Sequence, residues 1–406
     1  MKKRFPECRA YKHYQQRYMH FGWSHVRYIF LFFCSLILLG ACTSPISFAT
    51  PSKSGTVGDA PTPIVTATSA VSPTPAFTPP TITLQVVGSC PSLNWDSLVG
   101  THPHVNKVQK VTCGSLEGNG TLQALVNVRY YTPDAKLDVY AYNLNGTPAQ
   151  IFKLQGLADG DAQISPAGTI ITAEIANNGL PSSTPNVFKE FQWSGGSFNQ
   201  IMFPGIFPDT SYYQALQDQA AVTAGHDTWK TSGFPVLNNL ALRLCHWSQT
   251  SDKTVTYDSR TGTYIVQVTN LGPGGGGFVA TLFRLNNVTT NIFEVMRVTP
   301  LDGVTTLTAP AVGTSLTNPL HVSGVAQGTG NILGHVVLFD ETHVNIGDTG
   351  PIHSSTSSGL VNFTSDLKYQ TEAHGMQDGI LAFFSTTQNN LDLSNQVMMI
   401  KVLVSS

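Results

Sequence analysis

The chain has 406 residues, with 22 basic and 24 acidic side chains and only 11% charged residues. That length allows a leader and roughly two or three domains of about 100–200 residues. A formal net charge of −2 offers no basic field for a phosphate backbone, which excludes nucleic acid as a partner class.

The first element is an apolar run behind a basic end. Residues 1–27 hold seven basic side chains (Lys2, Lys3, Arg4, Arg9, Lys12, Arg17, Arg27) against Glu7, an imbalance that keeps this end cytoplasmic. Tyr28 to Ala41 then runs 14 residues without a charge, about 21 Å of helix against a bilayer core of about 30 Å. The run is short for a span and suits the apolar region of a secretory signal. Met19 is as good a start as Met1 and leaves a leader of more usual length. Without residues 1–41 the net charge moves from −2 to −8, because seven basic and one acidic side chain leave with them.

Leu39-Gly40-Ala41-Cys42 resembles the lipobox of bacterial lipoproteins: an aliphatic residue, two small ones, then cysteine. Small residues let a peptidase grip an extended backbone beside the cut, and the thiol is the nucleophile that takes the diacylglycerol. The resemblance implies cleavage between Ala41 and Cys42, lipidation of Cys42, and a body held extracytoplasmically at the outer face of the cytoplasmic membrane. A second acyl chain matters there, since a single one anchors only marginally. Residues 42–81 read as a tether: "APTPIVTATSAVSPTPAFTPP" is rich in Pro, Thr, Ser and Ala and too poor in apolar surface to repay ordering.

Residues 82–207 follow the pattern of an antiparallel β domain. "LQALVNVRYY" and "KLDVYAY" flank the turn Thr132–Ala135, Asn145-Gly146 marks the next, and "VFKEFQW" reaches "FNQIMF" through Ser194-Gly195-Gly196-Ser197. Outside the membrane thiols oxidise, and Cys90 and Cys113 are the natural disulfide pair, worth about 3 kcal/mol in the chain-entropy picture.

At residues 208–305 the period changes. Ser211-Tyr212-Tyr213-Gln214 fits a capping box opening a helix to about Ala224. Leu237, Leu240, Ala241, Leu244 and Cys245 recur at helical spacing, with Cys245 read as a buried free thiol. Three strands follow ("TYIVQVTN", "FVATLFRLN", "IFEVMRVTP"), which makes a small α+β unit of two helices on a sheet. Residues 306–406 return to β: Val361, Phe363, Ser365, Leu367 and Tyr369 alternate to one side, as do Met398, Ile400, Val402 and Val404, and turns separate short strands, the pattern of a β-sandwich.

"NPLHVSG", "VVLFD", "GLVNFTSDLKY", "GILAFFS" and "VMMIKVLV" together resemble the immunoglobulin-like domain of bacterial spore-germination and related envelope lipoproteins. The Ser-x-x-Asp usual after the "FFS" strand is absent, since Ser385 precedes Thr386, Thr387 and Gln388. In such proteins the domain implies binding or assembly and brings no catalytic residue. The middle, from "PGIFPDTSYYQALQDQAAVTAGHDTWK" to "LALRLCHW", is similar to a region of uncharacterised bacterial lipoproteins that precedes the same domain.

"GSLEGNGTLQAL" is like an integrin-type calcium loop, but Ser115, Asn119 and Gln123 stand where acids would coordinate and only Glu117 is charged, so a Gly-rich turn is the better reading. Gly272 to Gly277 satisfies G-x-G-x-x-G, yet "FVATLFRL" follows and alternates like a strand, where a nucleotide loop opens a helix. His102 and His104 share "THPHV" with no third ligand at useful spacing; His321 and His335 lie in strands, where a solvated face or satisfied core position is expected; Asp159-Gly160-Asp161 reads as a turn. Tyr130, Tyr131, Tyr140 and Tyr142 could line a sugar-binding face, though tyrosines on alternating strands more often form core and cross-strand pairs. No P-loop, H-E-x-x-H, paired-cysteine metal site or G-x-S-x-G occurs.

The expectation is therefore a mainly β, multidomain lipoprotein: an antiparallel β unit, a small α+β unit and a C-terminal immunoglobulin-like sandwich. It is expected to act as a non-catalytic binding or assembly module with no cofactor and no metal, held to the membrane by lipid and facing an envelope protein or glycan. The alternative is an enzyme or small-ligand protein with a pocket in the α+β unit. A solute-binding protein of an importer would show repeated βα alternation in two lobes, which this chain lacks.

Overall fold

The computed structural model describes residues 89–133, 135–176, 184–328, 330–354, 359–371, 375–386 and 390–405; the leader, Ala41, Cys42 and the tether lie outside them. The described chain is mainly β, built as several antiparallel sheets with three α-helices.

Alternating side chains and tight turns fold the first part into two consecutive meanders. β1 (Asn106–Gly114), β2 (Gln123–Tyr130), β3 (Leu137–Asn143) and β4 (Ala149–Leu157) pair in chain order, and so do β5 (Asp161–Ile164), β6 (Ile170–Glu174), β7 (Val187–Ser194) and β8 (Ser197–Ile201). Leu125, Leu137, Val139 and Leu157 of the first sheet share a core with Ala162 and Ile170 of the second, closed by Phe152, Phe191 and Phe198. Successive residues of a strand face opposite ways, so Ala124, Val126, Val128 and Tyr142 bury the other face of the first sheet under α1 (Trp95–Val99). That short helix is capped by Asn94, whose side chain accepts from Ser97 N–H, and stops at left-handed Gly100. Cys90 is disulfide-bonded to Cys113 on β1, with Cα atoms 5.3 Å apart, and so ties the covering segment to the sheet.

Ser211 then caps α2 (Tyr212–Thr223): its hydroxyl accepts from Gln214 N–H while the Gln214 amide oxygen accepts from Ser211 N–H. A 3₁₀ turn leads to α3 (Gly233–Leu244), whose Val236, Leu237, Leu240, Ala241 and Leu244 are buried, as is Cys245 after it. They pack on Val266, Val268, Phe278, Ala280 and Leu282 of a third meander. Its strands are β9 (Thr250–Asp258), β10 (Thr263–Asn270), β11 (Gly277–Arg284) and β12 (Phe293–Pro300). β9 is one strand more than the apolar pattern shows. It lies at the sheet edge and is mostly exposed, so nothing requires apolar alternation there.

The remaining strands are β13 (Thr306–Ala309), β14 (Ser315–Leu316), β15 (Leu320–Gly328), β16 (Ile332–Phe339), β17 (Asn345–Asp348), β18 (Ile352–His353), β19 (Gly359–Leu367), β20 (Met376–Thr386) and β21 (Ser394–Ser405). β13, β15 and β19 form a small sheet; its Val322, Val361, Phe363 and Leu367 share a core with Leu338, Leu381, Phe383, Ile400 and Val402 of β16, β20 and β21. The sheet holding these last strands does not end at residue 306. Val298 of β12 pairs with Met399 of β21, giving the strand order β17-β16-β20-β21-β12-β11-β10-β9, with β14 and β18 paired off that path. Hence β20 and β21 are covered on both faces: Ile380, Ala382, Phe384, Val397 and Met399 face the helices while Leu381, Phe383, Ile400 and Val402 face the small sheet. Burial on both faces explains their nearly continuous apolar sequence.

The glycine run 272–277 is the β10–β11 hairpin loop, followed by a strand. The start of β21 passes against it, and a Cβ on Gly276 (φ 75°) would sit 1.8 Å from the carbonyl oxygen of Asn395. Gly276→Ala is therefore expected to destabilise the fold by about 2 kcal/mol or more, from left-handed backbone and overpacking together. Denaturant unfolding measures this, and an unchanged midpoint would contradict the close approach.

Candidate functional site

The densest polar cluster lies where residues 203–214, between β8 and α2, cross the ends of β20, β21 and β12. Several backbone groups of that crossing are met by a buried side chain or an adjacent strand. Asp378 Oδ2 accepts from Phe203 N–H at 3.2 Å. Lys401 Nζ donates to the carbonyls of Gly205 (3.0 Å) and Thr210. Ile206 N–H and Phe207 C=O bond to Val295 of β12, and His343 Nε2 meets the Ile206 carbonyl at 2.9 Å. Glu341, after β16, accepts from Phe188 N–H of β7 with one oxygen (2.6 Å) and from Asp378 N–H with the other (2.7 Å). Its carbonyl takes the Thr210 hydroxyl at 2.6 Å. Lys401 Nζ and Asp378 Oδ2 form an ion pair of 3.1 Å, with side chains 3% and 7% exposed.

Burial sets the charge states here. Removal from water raises Glu341 well above the usual carboxylate range, and the nearby Asp378 charge adds to it. Burial raises Asp378 too, to about 6, with Lys401 opposing. Beside them, Asp209 N–H donates to Glu294 Oε2 at 3.3 Å and the two carboxyls face each other under Lys230, which is itself paired with Asp218. Burial raises both, with the Asp209 charge adding at Glu294. Asp209 Oδ2 and Glu294 Oε1 are buried with no other partner, the arrangement of a carboxyl pair sharing a proton. Glu190 of β7, accepting from Thr169 Oγ1 at 2.6 Å, is pushed by burial up to about 7. Burial lowers His343 below its ordinary value, so it stands neutral. None of these groups stood out in sequence, because they are scattered over separate segments far apart in the chain.

A second cluster lies on the first sheet, on the face that α1 covers at its other end. Asp138, buried on β3, takes four donors: Tyr130 Oη (3.0 Å), Tyr140 Oη (3.2 Å), Gln155 Nε2 (2.9 Å) and Gly156 N–H (2.9 Å). Burial and then Asp138 hold both tyrosines protonated, Tyr140 up to about 12. Tyr131 is exposed with Lys107 near its ring, and Lys153 sits similarly by Tyr140. Tyr142, grouped with them by sequence, is buried in the core.

The other singled-out residues are structural in their contacts. The 114–123 loop closes on itself: Gln123 Oε1 accepts from Leu116 and Glu117 N–H, Ser115 Oγ from Gly120 N–H and Asn119 Oδ1 from Thr121 N–H. These oxygens, at the coordinating positions of a calcium loop, are spent on the loop's own donors. His102 and His104 lie in an exposed turn whose His102 N–H is capped by Asn106. His321 and His335 pair with Asp366 and Asp348. Asp159 turns the chain with positive φ, and Asp161 accepts from Tyr213 of α2 at 2.9 Å. Cys245 is a buried free thiol whose pKa burial raises. Between α2 and β7 runs a slit of about 10 Å³ lined by Glu190, Tyr212 and Asp378, room for about one water. An open depression of about 490 Å³ lies beside α3, edged by Asn238, Leu242, Trp247 and Leu271.

No family model and no curated protein matches the chain. Among solved structures, the C-terminally truncated trimeric ectodomain of the C. elegans fusion protein EFF-1 is similar over 74% of this chain and 76% of its own, at 10% identity and a TM-score of 0.14. A score that low carries no argument about fold or function.

The buried carboxyls make stability depend on pH. Glu190 and the Asp209–Glu294 pair hold protons in the folded chain that the unfolded chain releases from about pH 4 upward. Their contribution is complete at acid pH and is lost as pH rises through the raised values, about 6 for Asp209 and about 7 for Glu190. His343 has the opposite sign, its contribution lost as pH falls below 6.5, the ordinary value. With the raised carboxyls outnumbering the one histidine, the thermal midpoint is expected to be lower at pH 8 than at pH 5.5, and Glu190→Gln and Glu294→Gln to flatten the fall. A midpoint independent of pH would refute the assignment.

Proposed function

We propose that this protein is a lipid-anchored extracytoplasmic module that binds or assembles with an envelope component, without catalysis. The observation that carries the anchoring is Leu39-Gly40-Ala41-Cys42 closing the uncharged run that opens at Tyr28, with a charge-poor, proline-rich tether behind it. In this reading the two facing sheets of the C-terminal part form an immunoglobulin-like sandwich that continues the sheet of the helical unit, so the body acts as one stiff arm. The titratable groups of its interior support a holding role: Asp378 and Lys401 are engaged with backbone groups of the crossing segment, and Glu341 with those of β7 and β20.

The contact surface in this proposal is the Tyr130–Asp138–Tyr140–Gln155 face, and its partner a cell-wall glycan. Tyrosine supplies large amphipathic contact area at low entropic cost, and Asp138 locks two such rings beside an exposed amide and Lys153. Two experiments test the two halves. Cys42→Ser is expected to accumulate as uncleaved precursor; a variant that stays membrane-held at mature size would end the anchoring reading. The ectodomain is expected to sediment with purified wall glycan, with Tyr140→Ala weakening this about tenfold. Equal retention of Tyr140→Ala would remove this face from the binding role.

A further inference from the structure

We propose that Lys401 and Asp378 condense into an intramolecular amide, with Glu341 passing the protons, so that the last two strands of the chain become covalently joined. The inference stands on the interior geometry and does not depend on lipid anchoring or glycan binding.

Lys401 lies opposite Ile380 and Asp378 opposite Leu403 in the β20–β21 ladder, which makes the two side chains diagonal neighbours on one face. They continue the row of Val397 and Met399 and of Ile380 and Ala382 at the point where that apolar face meets the crossing segment. Nζ stands 3.1 Å from Oδ2, and the Gly205 and Thr210 carbonyls hold it there. Glu341 is fully buried and fixed to the same residue by the Asp378 N–H.

Three physical arguments favour condensation. An amine and a carboxyl fixed in contact react as one molecule, with the entropic cost of encounter already met by folding. An ion pair this deep carries the desolvation cost of two charges, and amide formation removes both. The water produced leaves for bulk solvent, while the reverse reaction requires water in a packed interior. Burial also raises Glu341 well above the usual carboxylate range, the direction a proton shuttle requires.

The step balances without any co-reactant. The ammonium gives up a proton, the Nζ lone pair attacks Cγ of Asp378, and one Cγ–O bond breaks. Of the three ammonium hydrogens, two depart with that oxygen as water and one remains on the amide nitrogen. Glu341 carries a proton from nitrogen to the leaving oxygen and ends unchanged. The new N–H then donates to one of the two carbonyls that held the amine. Nothing is oxidised or reduced. The product pins the C-terminal strand, where unfolding and proteolysis ordinarily begin.

The test is peptide mapping by mass spectrometry of the purified full chain, with Cys90–Cys113 reduced. The expected result is a branched peptide joining the segments around Asp378 and Lys401, one water lighter than its two arms, with no tryptic cleavage after Lys401. Linear peptides alone, with normal cleavage there, would overturn the proposal. Asp378 precedes Gly379, so a water could also be lost by succinimide closure; a dehydration that persists in Lys401→Arg would therefore overturn it too. Glu341→Gln is expected to give linear peptides from a chain that still shows cooperative thermal unfolding, and a branched peptide in that variant would remove Glu341 from the proton path.

Discussion

The described structure turns on how one crossing segment satisfies its backbone deep inside the protein. Residues 203–214 leave the second meander, pass over the ends of β20, β21 and β12, and enter α2. A buried carbonyl or amide without a partner costs as much as a lost hydrogen bond, and here Lys401, Asp378 and Val295 meet the backbone of Phe203, Gly205, Ile206, Phe207 and Thr210. A strand covered on both faces would ordinarily hold an apolar residue at the place of Lys401; its ammonium instead reaches two carbonyls of the crossing chain. Removing one partner of this cluster strands the others, which is why the cluster behaves as a unit.

That crossing matters because it joins regions with separate cores. Glu341 holds β7 of the second meander and β20 together through a single carboxyl group, and Asp161 reaches α2 through Tyr213. The long sheet does the rest. β20 and β21 present alternate residues to two cores, so a change on either side is felt by strands that serve both. Such continuity gives a physical basis for a stiff body.

How much of this could be read in advance depends on the range of the interaction. The capping box at Ser211–Gln214 and the apolar stripe of α3 were legible because both are written within one or two helical turns. The alternations in β19 and β21 were legible because each strand buries a row. β9 was not, since an exposed edge strand needs no apolar row, and α1 was not, since five residues carry too little periodicity. The glycine run showed itself as a loop through the strand after it, but the need for glycine at position 276 comes from Asn395, far away in sequence. Tyr130 and Tyr140 were visible as candidates; the buried Asp138 that gathers them was one acid among many.

By itself, the sequence determined the local features: a charge-poor β-rich chain, its helix starts, its turns, a short apolar run closing on Leu39-Gly40-Ala41-Cys42, and the faces its strands bury. These follow from near-neighbour periodicity and side-chain chemistry, which no tertiary contact is needed to express. Only the tertiary structure decided that the last strands continue the sheet of the helical unit, and that Lys401, Asp378 and Glu341 meet. Their encounter is set by strand register and by a chain crossing nearly two hundred residues earlier, and the cost of burying charge alone makes such residues informative only once their partners are in place.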